Sequence, residues 1–164
     1  MSIFRSARKL TKLQQMPWRD RWLLIQACLW LPIVAIALST IGFKPTQRVL
    51  TKLSPQLHAI DQPSQSVSST QVDLARQTAR SVNRAARYLL PPGSCLRRSL
   101  ALWFLLKWQG IESKVCIGVR RQNGDFQAHA WVECNGQVAN DSPEVNDVFS
   151  TFDRDLPFAE IDIA

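Results

Sequence analysis

Between Trp22 and Phe43 runs an uncharged stretch, WLLIQACLWLPIVAIALSTIGF, in which Gln26 is the only strongly polar residue. So much apolar surface must leave water, into a bilayer, onto its surface or into a protein core. As a helix it would measure about 33 Å, enough to cross the hydrocarbon layer, and Pro32 near its middle predicts a kink. It starts too late and is too long for a secretory signal peptide, and it has no clear small-residue cleavage site. Arg5, Arg8, Lys9, Lys12, Arg19 and Arg21 precede it, while Lys44, Arg48 and Lys52 follow. With both flanks basic, the positive-inside rule gives only a weak vote for a cytoplasmic N-terminus. Three readings of residues 22–43 stay open: a transmembrane span, an interfacial helix, or a buried helix covering the domain that follows.

The chain has 164 residues, 46% of them hydrophobic, and a formal charge of +7. That length suits one globular domain, and collagenous, coiled-coil, solenoid and wholly disordered architectures are excluded. The charge is not spread evenly. Residues 1–60 carry nine Lys or Arg against Asp20 alone, whereas residues 61–164 are nearly balanced, with eleven against twelve. No zinc-finger, ribonucleoprotein or basic-zipper spacing accompanies the basic third, so nucleic acid is not an expected partner. Basic charge beside an apolar run points to a membrane surface or a solvated flank.

The organisation that follows is a basic, apolar helical region over residues 1–60 and a linker at 61–71. A catalytic domain is expected at 72–145, with an acidic tail at 146–164. The segment DQPSQSVSSTQ, rich in Ser, Gln and Pro, reads as the linker. From Val72 the positions Val72, Ala75, Ala79, Val82, Ala86 and Leu89 recur at helical spacing, with Arg76, Arg80, Arg84 and Arg87 on another face. His58 stands alone and reads as surface or structural.

Pro91-Pro92-Gly93-Ser94-Cys95 then stops one helix and opens another, LRRSLALWFLLKWQG, with Ser94 as a capping residue and Gly110 as the terminator. Cys95 falls at the first helical position. Unpaired N–H groups and the positive end of the helix dipole there stabilise negative charge on sulfur, and Arg97 and Arg98 add positive potential. A thiolate so placed is a nucleophile, and its own N–H can donate to an oxyanion. The competing reading is a buried structural cysteine.

KVCIGVR and FQAHAWVEC read as two strands, with Asn135-Gly136 turning into a third over Gln137 to Asp141. If the loop is two residues, Cys134 faces Gln137, and His129 and Asp141 point to opposite faces. If it is three, Glu133 faces Gln137 and His129 lies directly opposite Asp141. The second register is expected here, because an Asp across from a His accepts the ring N–H and fixes the tautomer of a general base. Ala128, Ala130 and Val132 then face a neighbouring layer.

The segments CLRRSLALWFLLKWQGIESKVCIGVR, FQAHAWVECNGQV and ANDSP resemble the stand-alone, B-type protease of lasso-peptide maturation. That is a transglutaminase-like cysteine protease that removes the leader from a ribosomally made precursor. The resemblance covers residues 80–145 and implies an α+β fold with a papain-like core, a Cys-bearing helix packed on an antiparallel sheet. It implies Cys95 as nucleophile, His129 as general base and acid, and Asp141 as the residue that orients His129. Residues 1–71 lack the alternating strands of a winged-helix recognition domain, so a separate leader-binding protein is implied. No GxxxxGK[ST] loop occurs, so this chain is expected to bind no cofactor, and ATP would belong to a partner cyclase.

That chemistry suits the cytoplasm, at or near the inner face of the membrane. There Cys28, Cys116 and Cys134 are expected to be reduced packing residues. A zinc site built from Cys95, Cys116, His129 and Cys134 lacks any CxxC pair, and no metal is expected. The alternative functions are a transamidase or other amide hydrolase using the same three residues, and an inactive membrane-associated scaffold.

Overall fold

A computed structural model of the chain describes residues 17–54, 69–122 and 124–151. The expected linker at 61–71 and His58 lie mostly or wholly outside the described residues. The elements are α1 (Trp18–Thr40), α2 (Phe43–Leu53), α3 (Ser69–Leu89), α4 (Cys95–Trp108), β1 (Lys114–Gln122), β2 (Asp125–Cys134), β3 (Gln137–Val138), α5 (Val145–Val148) and β4 (Ser150–Thr151). The sheet is antiparallel in the order β3-β2-β1-β4. The four long helices precede the sheet along the chain, so the fold is α+β.

α4 is the axis of the core. Every residue from Ser99 to Leu106 is buried, so the helix has no solvent face over two turns and needs neighbours on all sides. α1 and α3 cover one side and β1 with β2 the other. Gly93 (φ 79°) lets the chain reverse after Pro92 into α4. At the far end Gly110 (φ 73°) closes the helix, with Ile111 N–H donating to Leu106 O at 2.9 Å and Gly110 N–H to Lys107 O at 3.1 Å.

The uncharged run forms α1, which is unbroken through Pro32 and buries Leu23, Ala27, Leu31 and Val34. Ala27, Leu31 and Val34 join the same core as Phe104, and the Trp30 ring lies 4.4 Å from that of Phe104. α3 begins at Ser69, inside the segment expected to be linker. It buries Ala75, Thr78, Ala79, Val82, Ala85 and Ala86 and exposes Arg76, Arg80, Arg84 and Arg87.

Three features of the sheet differ from the expected ones. The loop between β2 and β3 is the two residues Asn135 (φ 51°) and Gly136 (φ 76°), with Cys134 paired to Gln137 and Glu133 to Val138. Two adjacent left-handed residues match the twist of the strands, which is why Asn-Gly selects the tighter turn. β3 is also two residues long rather than five. Residues 145–151, mostly assigned to a tail, instead form α5 and β4, and β4 pairs with β1 through Gly118↔Thr151 and Val119↔Ser150.

Gly118 admits this close packing. A Cβ there would lie 2.9 Å from Phe149 Cβ and Trp131 Cη2 and 3.1 Å from Ser150 O. Gly118→Ala is therefore expected to lower stability by about 1–3 kcal/mol, read from urea denaturation. An unchanged midpoint would show that β4 and Phe149 are not held against β1.

Candidate active site

Cys95 is the first residue of α4 and half-buried. Ser94 occupies the capping position, but its hydroxyl donates to Pro91 O at 2.7 Å, and no side chain caps the helix. The first intrahelical bond is Arg98 N–H to Ser94 O, at 3.0 Å. The N–H groups of Cys95, Leu96 and Arg97 precede it and have no helical acceptor. The expected cap thus has a different role: by turning toward the Pro-Pro turn, Ser94 leaves the donors beside the sulfur available to an incoming oxyanion.

His129 lies in the middle of β2, opposite Gly118 on β1. Its Nε2 is 2.8 Å from Asp141 Oδ2. With a carboxylate at Nε2, that nitrogen carries the proton and Nδ1 is left as the basic one. The ring is flanked by Phe149, centroids 5.1 Å apart, and by Trp131 at 6.2 Å. Glu133 helps hold this wall, since its carboxylate accepts the Trp131 indole N–H at 3.2 Å. Hydrogen bonds from Trp131, Asn146 and Lys114 outweigh the burial that raises the Glu133 carboxyl, and it lies below its usual value.

In the observed register, simple alternation would put His129 and Asp141 on opposite faces. They meet because the ladder stops. Ala139 N–H still donates to Val132 O at 2.8 Å, but Val132 N–H donates to the side-chain Oδ1 of Asn140 at 2.8 Å. An amide side chain replaces the next backbone acceptor, the strand peels away, and Asp141 is no longer bound by the two-residue period. The pairing anticipated from sequence is therefore present, by a route other than the three-residue loop.

Asn140 is buried and tied on every side. Its Nδ2 donates to Ser99 Oγ at 3.1 Å, Ser99 Oγ donates to Ala130 O at 2.9 Å, and its backbone oxygen accepts Asn83 Nδ2 at 3.0 Å. This network locks α3, α4 and β2 around the residue before Asp141. Arg98 completes the link: its Nη2 donates at 3.1 Å to Asp141 Oδ2, the oxygen that also meets His129. Arg98 lies three residues after Cys95, and such residues share one helix face. The turn that carries the sulfur and the ring of His129 therefore hold the same carboxylate. The Cys95 sulfur itself approaches Gly93 O at 3.9 Å, and no hydrogen bond joins it to His129. Catalytic hydrogen bonds of this kind commonly tighten only with substrate in place.

Burial raises the Asp141 carboxyl, but hydrogen bonds from His129 and the Ser142 N–H, with the charges of His129 and Arg98, overcome it and hold it below its ordinary value. The other sheet cysteines are unsuited to act as nucleophiles. Burial and the Glu133 charge push Cys116 up to about 12, and burial pushes Cys134 up to about 11. Cys28 is on the exposed side of α1. All four thiols are free, and among the described residues no three His, Cys, Asp or Glu side chains converge as metal ligands. A cavity of about 160 Å³ lies elsewhere, between the start of α3 and the β2–β3 turn, with Ala75, Arg76, Ile111 and Val138 in its lining.

Ser99, Asn83 and Asn140 were missed by the sequence reading, and Arg98 was noted only for its charge. One signal existed: Ser99 is the lone hydroxyl within the apolar run LALWFLL and its approach, where a polar residue needs a buried partner.

Two outcomes follow. Asn140→Leu strands the Val132 N–H and is expected to cost about 1–3 kcal/mol, measured by denaturation; no loss would remove Asn140 from the account. Asp141→Asn should destabilise the protein most at neutral pH. A depressed carboxyl contributes its stability above the unfolded value of about 3.9 and loses it as pH falls through the lower folded value. The difference from the parent protein should therefore shrink toward acid pH, and a gap that persists there would contradict the charged pair.

Comparison with known proteins agrees with this architecture. A 56-residue stretch is 45% identical to the microcin J25-processing protein McjB of Escherichia coli, covering 34% of this chain and 26% of that protein. The chain thus matches about a quarter of that relative's length. No solved structure matches. The transglutaminase-like superfamily pattern matches residues 37–152, from the end of α1 through β4, and with that match across most of the chain and its α+β architecture, the protein belongs to the transglutaminase-like superfamily.

Proposed function

We propose that the protein is a cysteine peptidase that removes the leader from a lasso-peptide precursor, in the cytoplasm. The observation that carries this reading is the Asp141 carboxylate shared by His129 and by Arg98, one turn from Cys95. The stretch similar to a microcin-processing protein supports a peptide precursor as the substrate class.

In the proposed reaction His129 Nδ1 takes the proton of the Cys95 thiol, and the sulfur attacks the carbonyl carbon of the leader–core amide. The negative charge that moves to the carbonyl oxygen is met by N–H donors at the start of α4. Asp141 holds the imidazolium, which passes its proton to the departing amine, the new N-terminus of the core. The leader stays on Cys95 as a thioester. His129 then takes a proton from water, the hydroxide breaks the thioester, and leader acid and free thiol result. A separate leader-binding protein and an ATP-using cyclase complete the proposed system. They would bring the scissile bond to Cys95 and close the core afterwards.

The test combines precursor, leader-binding protein and this enzyme, with mass spectrometry as readout. One cut yielding a free leader acid is expected, with Cys95→Ala and His129→Ala slower by about 10³-fold or more. Cleavage surviving in Cys95→Ala would overturn the assignment of the nucleophile. Leader captured by an added amine in place of water would reassign the enzyme as a transamidase, and a fully folded protein that cuts nothing would favour a scaffold.

A further inference from the structure

α1 carries two apolar rows on opposite sides. Leu23, Ala27, Leu31 and Val34 face the core, while Trp18, Trp22, Ile25, Leu29, Ile33 and Ile36 point outward and are 42–76% exposed. The outer spacings of four, three, four, four and three trace one stripe about 27 Å long, with no charged residue in it. A continuous exposed stripe of this size marks an interaction surface.

We infer that this outer stripe lies flat on an anionic lipid surface. Along the same stretch of chain the charge is nearly all positive. Arg19 and Arg21 flank Trp18 and Trp22 on either side, α2 adds exposed Arg48 and Lys52, and Asp20 is the only acid among residues 17–54. Anionic headgroups complement such a rim, whereas protein interfaces set polar partners of both signs around an apolar centre. Two tryptophans at one end suit the headgroup boundary. At the other end the Ser39 and Thr40 hydroxyls donate to Ala35 O and Ile36 O, both at 2.9 Å, so the last turn brings no unpaired hydroxyl hydrogen to the lipid. The inner row decides how the helix sits. Crossing the bilayer would strip Ala27, Leu31 and Val34 from the core they share with Phe104, so the helix lies on the surface rather than spanning it.

The orientation reaches the site. Arg97 Nη2 is 3.4 Å from Ser39 Oγ, which ties the end of α1 to the first turn of α4. A docked α1 therefore holds Cys95 close to the bilayer, where a substrate on the same surface meets it at raised local concentration.

The test is independent of peptidase activity and uses the full chain. It is sedimented with vesicles of phosphatidylcholine alone and with vesicles that also contain phosphatidylglycerol. Binding to the anionic vesicles is expected to be at least about tenfold stronger and to fall with added salt. A triple variant, Ile25→Ser, Leu29→Ser and Ile36→Ser, should lose at least about tenfold in vesicle binding with its thermal midpoint kept, because these side chains make little of the core. Absence of vesicle binding, or equal binding by the variant, would overturn the inference. So would a lipid-free dimer that the variant dissolves, which would assign the stripe to a second copy. A large drop in the variant's midpoint would show the stripe covered by the chain itself.

Discussion

The amide of Asn140 takes the Val132 N–H that a longer β3 would have taken, and much of the site depends on that exchange. A backbone ladder imposes a two-residue period, and any pair of residues along it is committed to the same or opposite faces. Replacing one rung with a side chain ends that commitment. Asp141 then turns to His129 although the tight Asn135-Gly136 turn sets the register that would part them. Because Asn140 also bonds Ser99 of α4 and its backbone meets Asn83 of α3, the place where the strand ends is fixed by the helices.

α4 serves two purposes through its two ends. Its middle is buried all round and joins the helical layer to the sheet. Its first turn is left uncapped by side chains and carries Cys95, with Arg98 reaching the carboxylate that His129 also uses. Rigidity in the middle steadies the first turn: a side chain on a helix anchored over two turns cannot wander from its neighbours. The Phe149 and Trp131 rings perform the same service for His129, and the missing Cβ of Gly118 is what lets them approach.

α1 resolves the ambiguity of the apolar run by dividing it. One row of side chains completes the core and the opposite row faces outward. A helix needed only for the core would carry polar residues outside, and a simple membrane span would have no reason to pack four residues against a folded domain. Its low polarity on both sides is consistent with contact to protein on one side and to lipid on the other.

Much of this was legible in the residues themselves. The Pro-Pro-Gly turn before Cys95, the arginine-lined face of α3 and the two long strands follow from local spacing and turn chemistry, which act over a few positions. The register of β3 was legible in the Asn135-Gly136 pair, which favours the two-residue turn; what was not legible is that the chain leaves the ladder after it, so that Asp141 meets His129 all the same. Nor was the role of Phe149, which reaches His129 only once β4 has crossed to pair with β1. Local pattern pointed to Cys95, His129 and Asp141 as groups able to do chemistry. Tertiary structure decided which of them meet, because Ser99, Asn140, Arg98 and Gly118 act on partners far along the chain, and a local pattern holds no information about contacts that only the packed core creates.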